Sequence, residues 1–370
     1  MRLPLRPELA GFEPYGAPQL DVPICLNVNE NPYPLPSAVV ADIAQQVAAI
    51  ASGLNRYPDR EFIKLRTALA RYLAAEAGIA CLPPERLWAG NGSNEIMLHL
   101  FQAFGGPDRT ALTCAPSYSM YPEYARNTNT AWATVARTPA PDFDLDLDAT
   151  FEALTTYQPA LLVIASPNNP TGTATNNEQI RALAEATRGT GPQGADTVLV
   201  VDEAYAEFRR SGTPSALELL DEFEHLVVTR TMSKAFGCAG ARIGYLAADA
   251  RLVDMLRIVR LPYHLSAVTQ AVALAALSHA DELQAQVSAL RAERDALAVA
   301  LANSGYEVAS SDANFLLFGT FADRHEVWQR LLDRGVLIRE TGPDGWLRVS
   351  VGTPAETRTF LATLREVDPR

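Results

Sequence analysis

The chain has 370 residues, and Asp and Glu outnumber Lys and Arg by 43 to 31, which gives a formal net charge of -12. At roughly 150 residues per domain, this length allows about two domains with well-filled cores and excludes a small disulfide-stapled scaffold. The 48% of hydrophobic and 20% of charged residues exclude a disordered chain. The net charge would repel a polyanion such as nucleic acid, so any anionic ligand must be held by a few local cations.

The cysteines Cys25, Cys81, Cys114 and Cys238 lie far apart and form no CxxC pair. Because each lies in or beside an apolar segment, we predict buried thiols in a reducing compartment rather than disulfides or a zinc site. The N-terminal segment is broken by prolines, and no run of about 18 apolar residues occurs. We therefore expect a cytoplasmic protein without a membrane partner.

The chain is predicted to begin with an extended N-terminal arm. Residues 1–36 contain many turn formers and too few periodic apolar residues for a core of their own. From residue 37, helical periodicity alternates with short apolar runs, which is typical of parallel strands buried on both faces of an α/β sheet. The predicted helices span 37–51, 61–77 and 94–104, and the predicted strands span 110–115, 160–165, 197–201 and 226–229.

The pattern changes after residue 262. Two Ala/Leu-rich helical segments, 266–278 and 280–303, precede the strand candidates NFLLFGTF, VLIRE and WLRVSV. A last helix is predicted to begin at Thr353, because Thr353 and Glu356 form a capping box and a proline follows Thr353. The sequence thus predicts an α/β protein: a large domain with a mostly parallel central sheet over 37–262, and a smaller α+β domain over 263–370.

Polar side chains follow the predicted strands of the large domain. Ligands of open α/β sheets bind beyond the carboxyl ends of the strands, where these side chains would meet. Each has an ordinary explanation by itself, since a lone lysine is usually solvated, PNNPTG can be a turn and a strand-ending aspartate is often a helix cap. Their occurrence in order at successive strand ends favours one common site. The residues are Tyr118, Asn169, Asp202, Tyr205, Lys234 and Arg242.

These groups match the needs of pyridoxal 5'-phosphate (PLP). A lysine amine can condense with the aldehyde of PLP, and a buried carboxylate can keep its ring nitrogen protonated, which are the roles we predict for Lys234 and Asp202. Asn169 and Tyr205 can donate to the ring oxygen, and Tyr118 can stack on the ring. The predicted catalytic residues are Lys234, Asp202 and Tyr205. The phosphate needs an arginine, hydroxyls and amides at a helix start, for which we predict Arg242, Thr231, Ser233, Gly92, Ser93 and Asn94.

Two other cofactor classes fit less well. The segment GNGSNE has Glu95 where a dinucleotide-binding loop needs its third glycine, and the sequence contains neither GxxxxGK[ST] nor HExxH. The five histidines are scattered without ligand spacing. We therefore predict neither a nicotinamide cofactor nor a metal.

The same motifs carry a family resemblance. The chain resembles the fold-type I, aspartate-aminotransferase-like superfamily, and more closely its histidinol-phosphate aminotransferase family. The matching segments follow the family's order along nearly the whole chain. They are LNVNENPYP (26–34), NRYPD (55–59), GNGSNE (90–95), PSYSMY (116–121), SPNNPTG (166–172), VDEAYAEF (201–208), RTMSKAFGCAGARIGY (230–245) and LRVSVG (347–352).

The resemblance implies a homodimer with active sites at the subunit interface. Tyr57 of the NRYPD segment would reach the cofactor phosphate bound in the other subunit. Arg348 would bind a substrate anion, and Arg339 would bind the substrate phosphate. Tyr15 and Asn31, in the N-terminal arm, would close over the substrate.

The implied activity is a ping-pong transfer of an amino group between glutamate/2-oxoglutarate and imidazole acetol phosphate/histidinol phosphate, a step of histidine biosynthesis. An aromatic amino acid aminotransferase acting on phenylalanine is the nearest alternative, and a phosphothreonine decarboxylase of the same superfamily is a more distant one. A ligand-sensing regulator would need a DNA-binding module, which residues 1–36 are too short and proline-rich to provide. The expected partners are small-molecule substrates and a second copy of the chain.

Overall fold

The structure, a computed structural model, describes residues 3–370; Met1 and Arg2, at the start of the predicted arm, lie outside the described part. Within it, helices and short strands alternate after the arm, as the periodicity predicts. The helices are α1 (Ser37–Ala51), α2 (Ile63–Ala77), α3 (Ser93–Phe104), α4 (Tyr121–Asn127), α5 (Leu147–Tyr157), α6 (Asn177–Ala186), α7 (Ala250–Val259), α8 (Ala267–Ser278), α9 (Ala280–Asn303), α10 (Arg324–Leu332) and α11 (Pro354–Val367).

The strands form one large sheet and two small ones. They are β1 (Ile24–Cys25), β2 (Leu87–Gly90), β3 (Thr110–Ala115), β4 (Ala131–Ala136), β5 (Leu161–Ala165), β6 (Val198–Asp202), β7 (Leu226–Thr231), β8 (Gly244–Ala248), β9 (Glu307–Val308), β10 (Phe315–Gly319), β11 (Val336–Leu337) and β12 (Trp346–Ser350). The large sheet has the order β2-β8-β7-β6-β5-β3-β4, and only β8 runs antiparallel to its neighbours. The predicted fold class, α/β with a mostly parallel central sheet, is confirmed.

The central strands are buried because helices cover both faces of the sheet. All residues of β5, β6 and β7 are buried, which explains why they read as continuous apolar runs in the sequence. The sequence gives weaker signals for β4, which lies at the sheet edge with exposed positions, and for the alanine-rich β8. Neither strand was among those predicted.

The C-terminal part contains the small antiparallel sheet β12-β10-β9. The capping box at Thr353 is confirmed, since Thr353 caps α11 and the Glu356 side chain accepts from the Thr353 backbone amide at 2.7 Å. The large and small apolar clusters meet within α9, because Leu290 packs in the first and Leu297 in the second. The boundary at residue 262 and the division into 1–36, 37–262 and 263–370 stay predictions.

The cysteine prediction is half right. Cys114 and Cys238 are buried, as expected, and burial raises the pKa of both thiols. Cys25 and Cys81 are exposed, because Cys25 lies on the two-residue strand β1 and Cys81 in the loop between α2 and β2. Among residues 3–370, none of the helices has the length and apolar character needed to cross a membrane.

Candidate active site

A cavity of about 250 Å³ lies beyond the carboxyl ends of β3, β5, β6 and β7, where the strand-end residues were expected to meet. The N-terminal arm and the small sheet complete its wall. Most of the predicted site residues line it: Tyr15, Ser93, Asn94, Tyr118, Asn169, Asp202, Tyr205, Thr231, Ser233, Lys234, Arg242, Arg339 and Arg348.

Lys234 follows β7 and places its amine at this cavity. Its Nζ donates to the carbonyl oxygen of Val28 in the arm at 2.8 Å. Burial, aided by the positive charges of Arg348 and Arg242, lowers the pKa of Lys234 to about 8. A fraction of the amine is therefore uncharged near neutral pH, and the uncharged form is the nucleophile that attacks an aldehyde.

Asp202 ends β6 and is buried beneath the cavity. Its two oxygens accept from Tyr121 Oη at 2.8 Å and from Thr229 Oγ1 at 3.0 Å. Burial raises the pKa of Asp202, although both hydrogen bonds act to lower it. Within the described residues, no Lys, Arg or His forms an ion pair with this carboxylate, so it can accept a cation such as a protonated ring nitrogen.

Arg348, on β12, brings the small sheet to the cavity. Its Nη1 donates to Asn169 Oδ1 at 2.5 Å and its Nη2 to the carbonyl oxygen of Asn27 at 2.8 Å. Its Nε is buried without a hydrogen-bond partner in the part of the chain described. Burial and the neighbouring Arg339 lower the pKa of Arg348 to about 10. A buried guanidinium with a free donor is suited to bind an anionic ligand.

Arg339 lies next to Arg348 through the backbone. The two residues exchange amide-to-carbonyl hydrogen bonds of 2.9 and 3.0 Å, which places both side chains at the same cavity. Across residues 3–370, neither guanidinium has a carboxylate within ion-pair distance. Two neighbouring positive charges without a counter-ion repel each other, and a bound anion would offset this repulsion. The pair therefore predicts a ligand with strong negative charge.

The predicted phosphate site is assembled at the start of α3. No side chain caps this helix, and Gly92 before it has a φ of +83°. A Cβ on Gly92 would meet the guanidinium of Arg242, and the positive φ is one that residues with a Cβ rarely adopt, so glycine suits this position. Arg242 donates to Ser233 Oγ at 3.4 Å, and Thr231 Oγ1 donates to the same oxygen at 3.0 Å. Helix amides, hydroxyls and an arginine thus form a cradle for a phosphate.

Of three further predicted residues, one lines the cavity and two lie outside it. Tyr15 lines it and its hydroxyl is 2.6 Å from Ser119 Oγ. Asn31 lies outside, where its Nδ2 donates to Gln286 Oε1 at 3.2 Å. Tyr57 is 80% exposed and its ring stacks on that of Tyr263 with a centroid separation of 4.4 Å. The roles of Asn31 and Tyr57 stay predictions.

Some residues at the site were missed by the sequence analysis. Tyr121 and Thr229 bind Asp202, and Asn29 Nδ2 donates to Tyr205 Oη at 3.0 Å. Thr229 pairs with Asp202 in the register of the neighbouring strands, a relation that follows from the strand alignment. Tyr121 lies three residues after Tyr118 in the segment PSYSMY, but only the fold shows which way its side chain points.

Comparison with known proteins identifies the family. The model of the family described as "Aminotransferase class I and II" matches residues 22–364. A histidinol-phosphate aminotransferase of Bifidobacterium adolescentis is 56% identical over 99% of this chain and 95% of its own length. The chain belongs to the histidinol-phosphate aminotransferase family. A further relative of this family, from Thermobifida fusca, is also 56% identical, over 98% of this chain and 95% of its own length.

Solved structures agree with this family assignment. A histidinol-phosphate aminotransferase from Sinorhizobium meliloti in complex with pyridoxal-5'-phosphate has a TM-score of 0.81 at 25% identity, covering 94% of this chain and 91% of that one. A Thermus thermophilus aspartate aminotransferase mutant has a TM-score of 0.82 at 26% identity, covering 99% of this chain and 100% of that one. The aminotransferase fold therefore extends over nearly all of this chain.

Proposed function

We propose that the protein is a PLP-dependent aminotransferase that interconverts histidinol phosphate and imidazole acetol phosphate, with 2-oxoglutarate and glutamate as the other pair. The near-full-length identity of 56% to a histidinol-phosphate aminotransferase carries this proposal. The cavity supports it, since it presents a half-buried amine, a buried carboxylate and three arginines that no carboxylate of residues 3–370 neutralises.

The residues present fit PLP. When bound, PLP supplies an aldehyde carbon that condenses with amines and a ring that accepts the electron pair of a broken bond at the substrate α-carbon. Lys234 would hold the cofactor through its amine, and Asp202 would keep the ring nitrogen protonated. Arg242 and the first amides of α3 would bind the phosphate. Tyr118 would cover the ring, and Asn169 and Tyr205 would bind its oxygen.

Lys234 would also serve as the acid–base group at the substrate α-carbon. Its Nζ would take the proton from the substrate α-carbon and return a proton to the cofactor carbon. The lowered pKa, about 8, suits an amine that must both accept and release a proton near neutral pH.

Arg348 and Arg339 would divide the anionic groups of the substrates. Arg348, which is buried beside Asn169, would bind a substrate anion. The less buried Arg339 would bind the phosphate of histidinol phosphate. A guanidinium binds a phosphate dianion with two parallel hydrogen bonds, which a lysine cannot do. Both side chains also offset the net charge of -12 at the place where an anion must enter.

Replacing Arg339 with alanine should raise the KM for histidinol phosphate by about 10- to 100-fold, the effect of one lost charge-assisted interaction. The KM for glutamate should change much less, because glutamate carries no phosphate. Steady-state kinetics, with histidinol phosphate and glutamate each varied at a fixed concentration of its acceptor, measures both values.

The matched control is Arg334→Ala, since Arg334 is an exposed arginine of the same part of the chain and does not line the cavity. Its kinetics should stay as in the unmodified enzyme. Equal increases in both KM values of Arg339→Ala would refute the phosphate role of Arg339.

We also propose a homodimer in which Tyr57 completes the phosphate site of a second copy. The exposed stack of Tyr57 on Tyr263, outside the cavity of its own chain, supports this arrangement. A cytoplasmic location stays a prediction from the sequence.

A further inference from the structure

Asn29 is buried beside the cavity, but the chemistry proposed above gives it no part. It belongs to the arm, is 2% exposed and has a φ of +56°, a conformation that Asn adopts more readily than most residues. Its backbone amide donates to Ser350 Oγ at 2.9 Å, and its carbonyl oxygen accepts from Asn314 Nδ2 at 3.0 Å. These two distant residues hold Asn29 in one position.

Ser350 also fixes the orientation of the Asn29 amide group. Because Ser350 Oγ accepts from the backbone amide of Asn29, its own hydrogen is free to donate to Asn29 Oδ1 at 2.8 Å. Oδ1 is then the acceptor of the side chain and Nδ2 the donor. The Nδ2 group accordingly donates to Tyr205 Oη at 3.0 Å.

This direction leaves the proton of Tyr205 without a partner in the protein. Within residues 3–370, no protein atom accepts a hydrogen bond from Tyr205 Oη, and the side chain lines the cavity. Burial raises the pKa of the Tyr205 phenol, so the group keeps its proton at neutral pH. The free O–H is therefore available to a ligand in the cavity.

We infer that Asn29 is a positioning residue that makes Tyr205 a hydrogen-bond donor to the ring oxygen of the cofactor. The inference rests on the proposed PLP function and deepens it. The competing explanation is that Asn29 merely fastens the arm to the small sheet. The two differ in whether a change at Asn29 acts through the Tyr205 hydroxyl.

The decisive variant is Asn29→Asp. It keeps the size of the side chain and its tolerance of positive φ, but it replaces the donor with an acceptor, so Tyr205 would donate to the introduced carboxylate. The ring oxygen would lose the Tyr205 donor, keep the Asn169 donor, and become more negative. The pKa read from the visible absorbance of bound PLP, titrated without substrate, should then rise by about one pH unit, the equivalent of one hydrogen bond. Asn29→Ala should give a smaller rise.

The introduced charge would itself raise this pKa, so the same substitution is made in a Tyr205→Phe background. We expect most of the Asn29→Asp shift to disappear there, because the hydroxyl through which it acts is gone. An equal shift in both backgrounds would overturn the inference and leave Asn29 a fastening residue. Thermal unfolding of each variant shows whether the arm still packs.

Ser350→Ala provides a second test, because it removes the group that orients the amide and keeps the Asn29 side chain. It also removes the acceptor of the Asn29 backbone amide, so it too is made in the Tyr205→Phe background, where its effect should disappear. Should the Asn29 variants not fold, this variant decides: a smaller rise of the same sign supports the inference, and no rise overturns it. Failure of the Asn29 inference can be distinguished from failure of the proposed function. An unmodified chain that binds no PLP would contradict that function, whereas normal PLP binding with unshifted variants would contradict only the role of Asn29.

Discussion

Lys234→Ala should reduce kcat by at least about 10⁴-fold, because it removes both the amine that condenses with PLP and the base that moves the α-carbon proton. The buried alanine leaves the strand ends in place, so the fold should persist. Measurement of single turnovers with histidinol phosphate, together with thermal unfolding, checks both expectations. Substantial remaining transamination would contradict the assignment of this residue.

The chain offers a close control, because Lys64 and Lys234 are its two lysines. Lys64 is exposed on α2, away from the cavity, so Lys64→Ala should leave kcat unchanged. Borohydride reduction of the PLP-loaded protein followed by peptide mass analysis should find the cofactor on Lys234 and not on Lys64. Because Lys64 is the one other lysine of the chain, few nonspecific adducts can obscure the position of the reduced cofactor.

Asp202→Ala should lower kcat by about 10²- to 10³-fold, the usual effect of removing a preorganised electrostatic partner of the transition state. Without the carboxylate the ring nitrogen loses the charge that keeps it protonated, and the ring accepts electrons less readily. The bound PLP should stay attached, since Lys234 and the phosphate cradle are untouched. Kinetics and the visible absorbance of the variant measure the two effects separately.

A cofactor analogue makes the Asp202 test specific. PLP methylated at the ring nitrogen carries a permanent positive charge, and the alanine leaves space for the methyl group. The analogue should therefore restore part of the lost activity in Asp202→Ala. Failure of this rescue in a folded variant that binds the analogue would mean that Asp202 supports the site in another way.

The main catalytic groups could be predicted from the sequence because parallel strands bring their carboxyl ends to one edge. Asp202 and Lys234 each follow a buried apolar run, so their meeting at the cavity follows from the fold class. The phosphate cradle could be predicted from the sequence for a different reason, because Gly92 precedes a helix with clear periodicity.

Other features depend on tertiary contacts that no local pattern contains. Asn29 and Ser350 are 321 residues apart, and their contact exists only because the arm crosses the end of β12. The side-by-side placement of Arg339 and Arg348 depends on an isolated bridge between the segment after β11 and the middle of β12. The exposed edge strand β4 and the surface position of Cys25 likewise depend on where an element lies in the fold rather than on its composition.

The most direct measurement compares kcat/KM for histidinol phosphate and for phenylalanine, each with 2-oxoglutarate as acceptor. A site built to pair a phosphate leaves its arginines unmatched when phenylalanine binds, so we expect a preference for histidinol phosphate of at least ~100-fold. That result would make Arg339 and Arg348 the specificity residues of an enzyme of histidine biosynthesis. A ratio near one, or a preference for phenylalanine, would contradict the proposed substrate while leaving Lys234 and Asp202 in their roles.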